Sequence, residues 1–185
     1  MSKLRFRLSR YTDLRQLATL WNEVFGDEEK LIFEFFRLLW RPAYCCVAEE
    51  GDHIVSMGYC IPGPEVRGLR CSYIYAMATA EPFRGRCAAQ QIGLNLIQMA
   101  FDGGADIVAT LPADEGLCRW YETRLGMAPL FRKGGSDVVF PMNWPEFAEV
   151  CGPHSPDTPD RLWAIPRPGL DPSPLAGLGW EYTFD

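Results

Sequence analysis

Apolar residues change their period several times along the chain, and each change marks an element. Leu4, Phe6 and Leu8 alternate with basic residues as in a first strand, after which Thr12 or Asp13 can cap a helix. Leu14, Leu17, Leu20, Trp21, Val24 and Phe25 then recur at helical spacing. Gly26-Asp27 interrupts the pattern, and Leu31, Ile32, Phe35, Phe36, Leu38 and Leu39 resume it in a second helix that ends before Pro42. Residues 44–49 and 53–61 read as strands joined by a Glu50-Gly51-Asp52 hairpin turn. Past Pro62-Gly63-Pro64, residues 69–79 form a third long strand. A helix from Cys87 to about Asp102 buries Ile92, Leu96, Met99 and Ala100 and stops at Gly103-Gly104. Residues 106–111 follow as a buried strand, and a short helix beginning at Asp114 or Glu115 stops near Gly126. Residues 128–133 and 137–142 make a closing hairpin around Gly134-Gly135, and no internal repeat is visible.

From Pro141 onward the composition shifts, with nine of the fifteen prolines and Trp144, Trp163 and Trp180. Proline removes backbone donors and fixes φ, so little regular structure is expected there. Three large aromatic residues nevertheless imply that the segment packs on the preceding chain, because a solvated linker rarely keeps them. The expected organisation is one domain over residues 1–142 and a packed proline-rich extension over 143–185, in which Glu181–Asp185 is a candidate last strand. A length of 185 residues with 48% hydrophobic and 23% charged side chains suits such a domain with a substantial core.

Eighteen basic against twenty-four acidic residues give a formal charge of −6, which argues against a nucleic-acid or anionic-membrane surface and leaves cationic or neutral partners open. Cysteines at 45, 46, 60, 71, 87, 118 and 151 contain no Cys-x-x-Cys pair, and their odd count does not read as a disulfide framework. The first ten residues lack an apolar signal core, and the most apolar stretch, Leu31–Trp40, is too short to span a bilayer and carries Glu34 and Arg37. A reduced, cytoplasmic setting is expected, and a homodimer stays open.

The most informative segment runs from Tyr73 to Ile92, where a β-rich stretch passes through Arg84-Gly85-Arg86 into an apolar-periodic helix. The first N–H groups of a helix have no intrahelical partner and lie at the positive end of its dipole, so a strand, a basic turn and a helix start make an anion site. Two arginines beside it suit a diphosphate. The plain alternative is a basic surface turn before an ordinary helix.

Arg84-Gly-Arg-Cys-Ala-Ala89 resembles the coenzyme A loop of the GNAT N-acetyltransferases, Arg/Gln-x-x-Gly-x-Gly/Ala, with Cys87 in place of the central glycine. Leu111–Met127, containing Trp120-Tyr121 and Leu125-Gly126, resembles the helix that follows in that family. The two segments stand in the family's order and separation, and the resemblance covers about residues 4–142. It implies the GNAT fold, a mixed, mostly antiparallel sheet flanked by helices, and acetyl-CoA as cofactor. It implies an N-acetyltransferase moving acetyl directly to a primary amine of a small molecule or peptide in a ternary complex.

By the same resemblance, Met77, Ala78 and Thr79 meet the pantetheine arm through backbone groups, and Arg84, Gly85, Arg86, Cys87, Ala88 and Ala89 cradle the diphosphate. Arg86 is the more favoured side-chain contact. Cys87 is small and a helical φ suits it, so weakened binding is expected. Between two arginines at a helix start, its thiol is also a candidate reactive group. Tyr121 matches the family's general acid, although spacing alone favours a core aromatic beside Trp120. Asp114 stands where relatives carry Asn to steady the pantetheine arm.

Glu23, Glu81, Asp114 and Glu115 are open candidates for the general base, and Trp21, Phe25, Phe33, Phe36 and Trp40 for an aromatic acceptor pocket. Neither His53 nor His154 has metal-spaced neighbours, and no metal site is expected. The alternative from another class is a GNAT-like module, catalytically weak or inactive, that binds acyl-CoA or a protein partner.

Overall fold

The computed structural model describes residues 3–185 of the chain. Eight strands form one sheet in the order β1-β2-β3-β4-β5-β7-β6-β8, with β1 at Arg5–Leu8, β2 at Cys45–Glu50, β3 at His53–Val66, β4 at Leu69–Thr79, β5 at Ile107–Thr110, β6 at Ala128–Lys133, β7 at Arg161–Pro166 and β8 at Gly179–Trp180. The β4–β5 and β6–β8 pairs are parallel, whereas β1–β2, β2–β3, β5–β7 and β6–β7 are antiparallel. The helices are α1 at Leu14–Phe25, α2 at Glu29–Leu38, α3 at Ala88–Asp102, α4 at Glu115–Leu125 and α5 at Asn143–Cys151. Two compact units divide the chain: the segment up to Ile61 with Ile74–Gln98, and Pro62–Tyr73 with Met99–Asp185. Among the described residues no helix is long and apolar enough to cross a membrane.

In the first unit α1 buries Leu17, Leu20 and Trp21, and α2 buries Ile32 and Phe35, which are the i, i+3, i+4 positions of one face. Trp21, Phe35 and Tyr59 meet with ring centroids 4.8–5.6 Å apart and form the centre of this core. Gly26 ends α1 at φ 70°, a left-handed cap that glycine adopts without a Cβ clash. Asp13 precedes α1 but does not cap it through its side chain. Its carboxylate instead takes Arg7 Nη1 at 2.7 Å and the Arg10 N–H at 2.7 Å, and Arg7 Nη2 reaches Glu49 Oε2 at 2.7 Å. Helix α3 lies close on the sheet at Gly58, where a Cβ would stand 2.9 Å from Ile92 Cγ2 and 3.0 Å from Leu96 Cδ1. Of the four residues expected to be buried on α3, Ile92 and Leu96 are, whereas Met99 and Ala100 stay half-exposed.

Strand β3 does not stop at Pro62-Gly63-Pro64, where the sequence suggested a break. It continues to Val66, and the reversal is the two-residue turn Arg67-Gly68, both at positive φ (50° and 77°), the type that matches strand twist. A Cβ on Gly63 would lie 3.2 Å from the Cys71 carbonyl oxygen, so glycine allows the close backbone approach at that point.

In the second unit the expected hairpin partner of β6, residues 137–142, is not a strand. The partner is β7, which pairs with β6 (Phe131↔Leu162) and with β5 (Val108↔Ile165). The chain after residue 142 thus carries more regular structure than its prolines implied, and the last strand is β8 at Gly179–Trp180, not residues 181–185. Trp144, Trp163 and Trp180 are buried. Trp144 Nε1 donates to the Pro62 carbonyl at 3.1 Å, Trp163 Nε1 to Glu122 Oε1 at 3.0 Å and Trp180 Nε1 to the Tyr182 carbonyl at 2.9 Å, so each ring is buried with its donor satisfied. Trp180 stacks on Tyr73 and lies 4.9 Å from Phe131 between ring centroids. Replacing Trp180 by alanine is expected to lower stability by about 3–5 kcal/mol, the usual result of emptying a large aromatic site. Urea unfolding followed by tyrosine and tryptophan fluorescence measures it, and a change under about 1 kcal/mol would show that this packing contributes little.

Candidate active site

The site is built from the end of β4 and the loop after it. The β4–β5 register covers Cys71↔Ile107, Ser72↔Val108 and Tyr73↔Ala109, and β4 then runs on to Thr79. Ala76, inside the strand, has φ 49°, a left-handed conformation uncommon for a residue with a side chain. Below it the strand is secured: the Ser56 hydroxyl donates to the Ala78 carbonyl at 2.9 Å and shares a 2.7 Å hydrogen bond with the Thr79 hydroxyl. Met77 turns its side chain toward the α3 face, near Gly58.

Beyond Thr79 a single 3-10 turn at Glu81–Phe83 leads into Arg84 in extended conformation, Gly85 at φ 76° and Cys87 at φ 60°. Helix α3 starts one residue later than expected, at Ala88, and its first backbone bond runs from the Gln91 N–H to the Cys87 carbonyl at 3.0 Å. The expectation of a helical φ at Cys87 is therefore corrected. The residue lies in the left-handed region that a glycine occupies freely and that costs a side-chain-bearing residue about 1–2 kcal/mol. Ala88 is buried and Ala89 half-buried, so the helix start is seated in the protein while its leading N–H groups point toward the turn.

An anion bound here would meet donors and room together. A Cβ built on Gly85 finds nothing within 4 Å, so the space beside the turn is open. Arg84 is exposed and donates from Nε to the Thr79 carbonyl at 3.2 Å. Arg86 is half-buried, with Nη2 3.2 Å from Glu50 Oε1 and its guanidinium 5.2 Å from the Phe83 ring centre. The geometry thus fits a diphosphate through the turn and the α3 start, with both arginine side chains already engaged within the protein.

Tyr121 lies on α4, buried, with its hydroxyl hydrogen-bonded to Thr110 and its ring against the edge of Trp120 at 5.2 Å. Burial disfavours the phenolate and pushes the hydroxyl up to about 12, an effect the Thr110 bond only partly opposes. Asp114 turns out to have a local task, since its Oδ1 accepts the Leu117 N–H at 2.8 Å and caps α4. Among the open base candidates Glu23, Glu81, Asp114 and Glu115 are all exposed, and none is held in a buried polar setting.

Of the five aromatic candidates for an acceptor pocket, Phe33, Phe36 and Trp40 line a cleft of about 740 Å³ between α1 and α2. Trp21 is instead in the core, and Phe25 is partly exposed outside that cleft. His154 is taken up by the Thr183 hydroxyl at 3.0 Å and Asp185 Oδ1 at 2.9 Å, contacts that no local sequence signal announced. No group of three or more His, Cys, Asp or Glu side chains that could hold a metal occurs among the described residues.

A family profile described as the acetyltransferase (GNAT) family matches residues 11–127. The chain belongs to the GNAT family. It is an N-acetyltransferase by membership, and acetyl-CoA is the cofactor of that family. A GNAT family N-acetyltransferase (YhbS) from Escherichia coli, solved in complex with CoA, superposes with a TM-score of 0.70 at 16% identity, over 98% of this chain and 91% of that one. An agmatine N-acetyltransferase mutant in its apo form gives 0.64 at 16% identity over 89% and 100%. Glucosamine-6-phosphate N-acetyltransferase from Arabidopsis thaliana gives 0.55 at 19% identity over 69% and 92%. Other solved structures it resembles are longer, and the chain spans 32–46% of them. No curated protein matches the sequence significantly.

The thiols of this GNAT enzyme differ sharply in access. Cys87 is exposed, whereas burial pushes the thiols of Cys45, Cys60 and Cys71 up to about 12. Brief iodoacetamide treatment of the native protein is therefore expected to label Cys87 first, as read by peptide mass spectrometry. Labelling of Cys45 or Cys60 ahead of it would contradict this placement of the loop.

Proposed function

We propose that this GNAT enzyme moves the acetyl group of acetyl-CoA directly to the primary amine of a small molecule or peptide within a ternary complex. The observation that carries the reading is the stretch from Ala76 to Ala89: a strand end with a left-handed kink, an open Gly85-Arg86-Cys87 turn and the start of α3. In this reading the backbone of Met77, Ala78 and Thr79 lies along the pantetheine arm, and residues Arg84–Ala89 receive the diphosphate with N–H groups and the α3 dipole. The left-handed Cys87 offers its N–H as a glycine would, but its side chain limits how closely a phosphate can approach. Acetyl-CoA supplies a thioester whose sulfur needs a proton as it leaves.

Tyr121 is proposed to hold that proton. Its raised pKa keeps the hydroxyl protonated at neutral pH, so it is available as a donor throughout the range in which an amine can lose its own proton. Asp114 acts chiefly by capping α4 and so by fixing the helix that carries Tyr121. An acceptor with a positive charge is favoured by the net charge of −6 and by agmatine, the amine named for one structural relative. Seven cysteines, none of them in a disulfide, support a reducing, cytoplasmic setting.

Calorimetric titration of the reduced protein with acetyl-CoA, with desulfo-CoA and adenosine diphosphate as controls, tests the cofactor assignment. Micromolar binding that also slows iodoacetamide labelling of Cys87 is expected, and binding without that protection would move the diphosphate elsewhere. Tyr121→Phe is expected to lower kcat by about 10²–10⁴ with little change in acetyl-CoA affinity. Because burial raises the phenol, wild-type kcat/KM should show no alkaline limb from Tyr121 between about pH 7 and 10. An unchanged kcat in the Phe variant removes Tyr121 from the chemistry.

A further inference from the structure

Arg86 already has an anionic partner inside the protein. Its Nη1 and Nη2 lie 3.3 and 3.2 Å from Glu50 Oε1, and both side chains are partly buried, at 20% and 28% exposure. Glu50 is the last residue of β2 and pairs with His53 across the Gly51-Asp52 turn, so its backbone is anchored in the sheet while Arg86 belongs to an irregular loop. Both contacts converge on one carboxylate oxygen, at distances beyond the ~2.7–2.9 Å of strong charge-assisted bonds. The other loop arginine, Arg84, faces solvent, and Glu81 lies on the same stretch. Two cations therefore stand against two carboxylates, and the loop offers no net positive charge to an incoming anion.

We infer that Glu50 is an affinity-lowering gate on the coenzyme loop, competing with the ligand diphosphate for Arg86 so that a ligand carrying the diphosphate binds there by displacing the carboxylate. The inference rests on the assignment of the diphosphate to residues 84–89. A diphosphate presents several oxygens to the planar guanidinium and can take it bidentately, which favours exchange over the end-on pair with Glu50. The released carboxylate stays within Coulomb range of the bound anion and lowers its affinity. A ligand that lacks the nucleotide half meets neither effect.

Titration calorimetry of the full chain with acetyl-CoA and with acetyl-pantetheine tests the gate in Glu50→Gln, Arg86→Gln and the double variant. Glutamine keeps the shape and the oxygen acceptor of Glu50 while removing its charge, and thermal unfolding verifies that each variant is folded. Glu50→Gln is expected to tighten acetyl-CoA binding about 3- to 10-fold, the scale of one nearby charge in a partly screened site. Acetyl-pantetheine affinity and kcat should not change, most of the gain should disappear in the Arg86→Gln background, and added salt should shrink it. An unchanged or weaker acetyl-CoA affinity in Glu50→Gln, or an equal gain for acetyl-pantetheine, overturns the gate alone. Wild-type binding that Arg86→Gln leaves intact overturns the Arg86 assignment and the gate together.

Discussion

Strand β5 needs partners along both edges, and that need organises the second unit. Ile107, Val108 and Ala109 have no solvent exposure and Thr110 only 2%, so an unpaired backbone group there would leave a desolvated donor or acceptor at about 1–3 kcal/mol each. Strand β4 supplies one edge over three residues, and β7 supplies the other over all four. Because β7 lies at 161–166, meeting this need draws in the proline-rich chain: β6 joins the free edge of β7, β8 joins β6, and Trp144, Trp180 and Phe184 pack around Tyr73. The Tyr73 hydroxyl completes the arrangement by donating to the Thr183 carbonyl at 2.7 Å. The segment is thereby tied to the last β4 residue that pairs with β5.

The first unit keeps its backbone strain in one place. Among the described residues, apart from a turn residue, Arg67, and Phe184, the side-chain-bearing residues at positive φ are Ala76 and Cys87, which bracket the strand end and the loop of the proposed cofactor site. Such conformations persist only where neighbours hold them, and here Ser56, Thr79, Arg84 and the Arg86–Glu50 pair provide the restraints. Strain and restraint together present backbone groups in an order that an ordinary turn between strand and helix would not produce.

Arginine serves two purposes in the same unit, and distances and burial separate them. Arg7 is bound at 2.7–3.0 Å by Asp13 and Glu49, all three nearly buried, and the hydrogen bond from Arg7 holds the Asp13 carboxyl below its usual range. Breaking such a buried set typically costs about 3–5 kcal/mol, so it is a fixed joint between β1, β2 and the start of α1. The Arg86–Glu50 contacts are longer and more solvated, hence closer to the weak surface range and open to exchange with a better anion.

Local pattern was enough for the GNAT order of elements through β6, for the strand-to-helix passage at 73–92, and for Tyr121 on the following helix. Helical periodicity and glycine stops at Gly26 and Gly126 act within a few residues, so they are visible in the chain itself. The partner of β6 was not visible, because Val138, Val139 and Phe140 are as suited to a strand as residues 161–166 and only the buried edge of β5 selects the latter. The continuation of β3 through Pro62-Gly63-Pro64 depended on a close approach to Cys71, and the left-handed Cys87 on where α3 is seated. Sequence alone thus determined the helices and strands through β6. Tertiary structure alone decided which strand fills which edge and which charges meet, since burial of backbone groups and ion pairing join residues far apart in the chain.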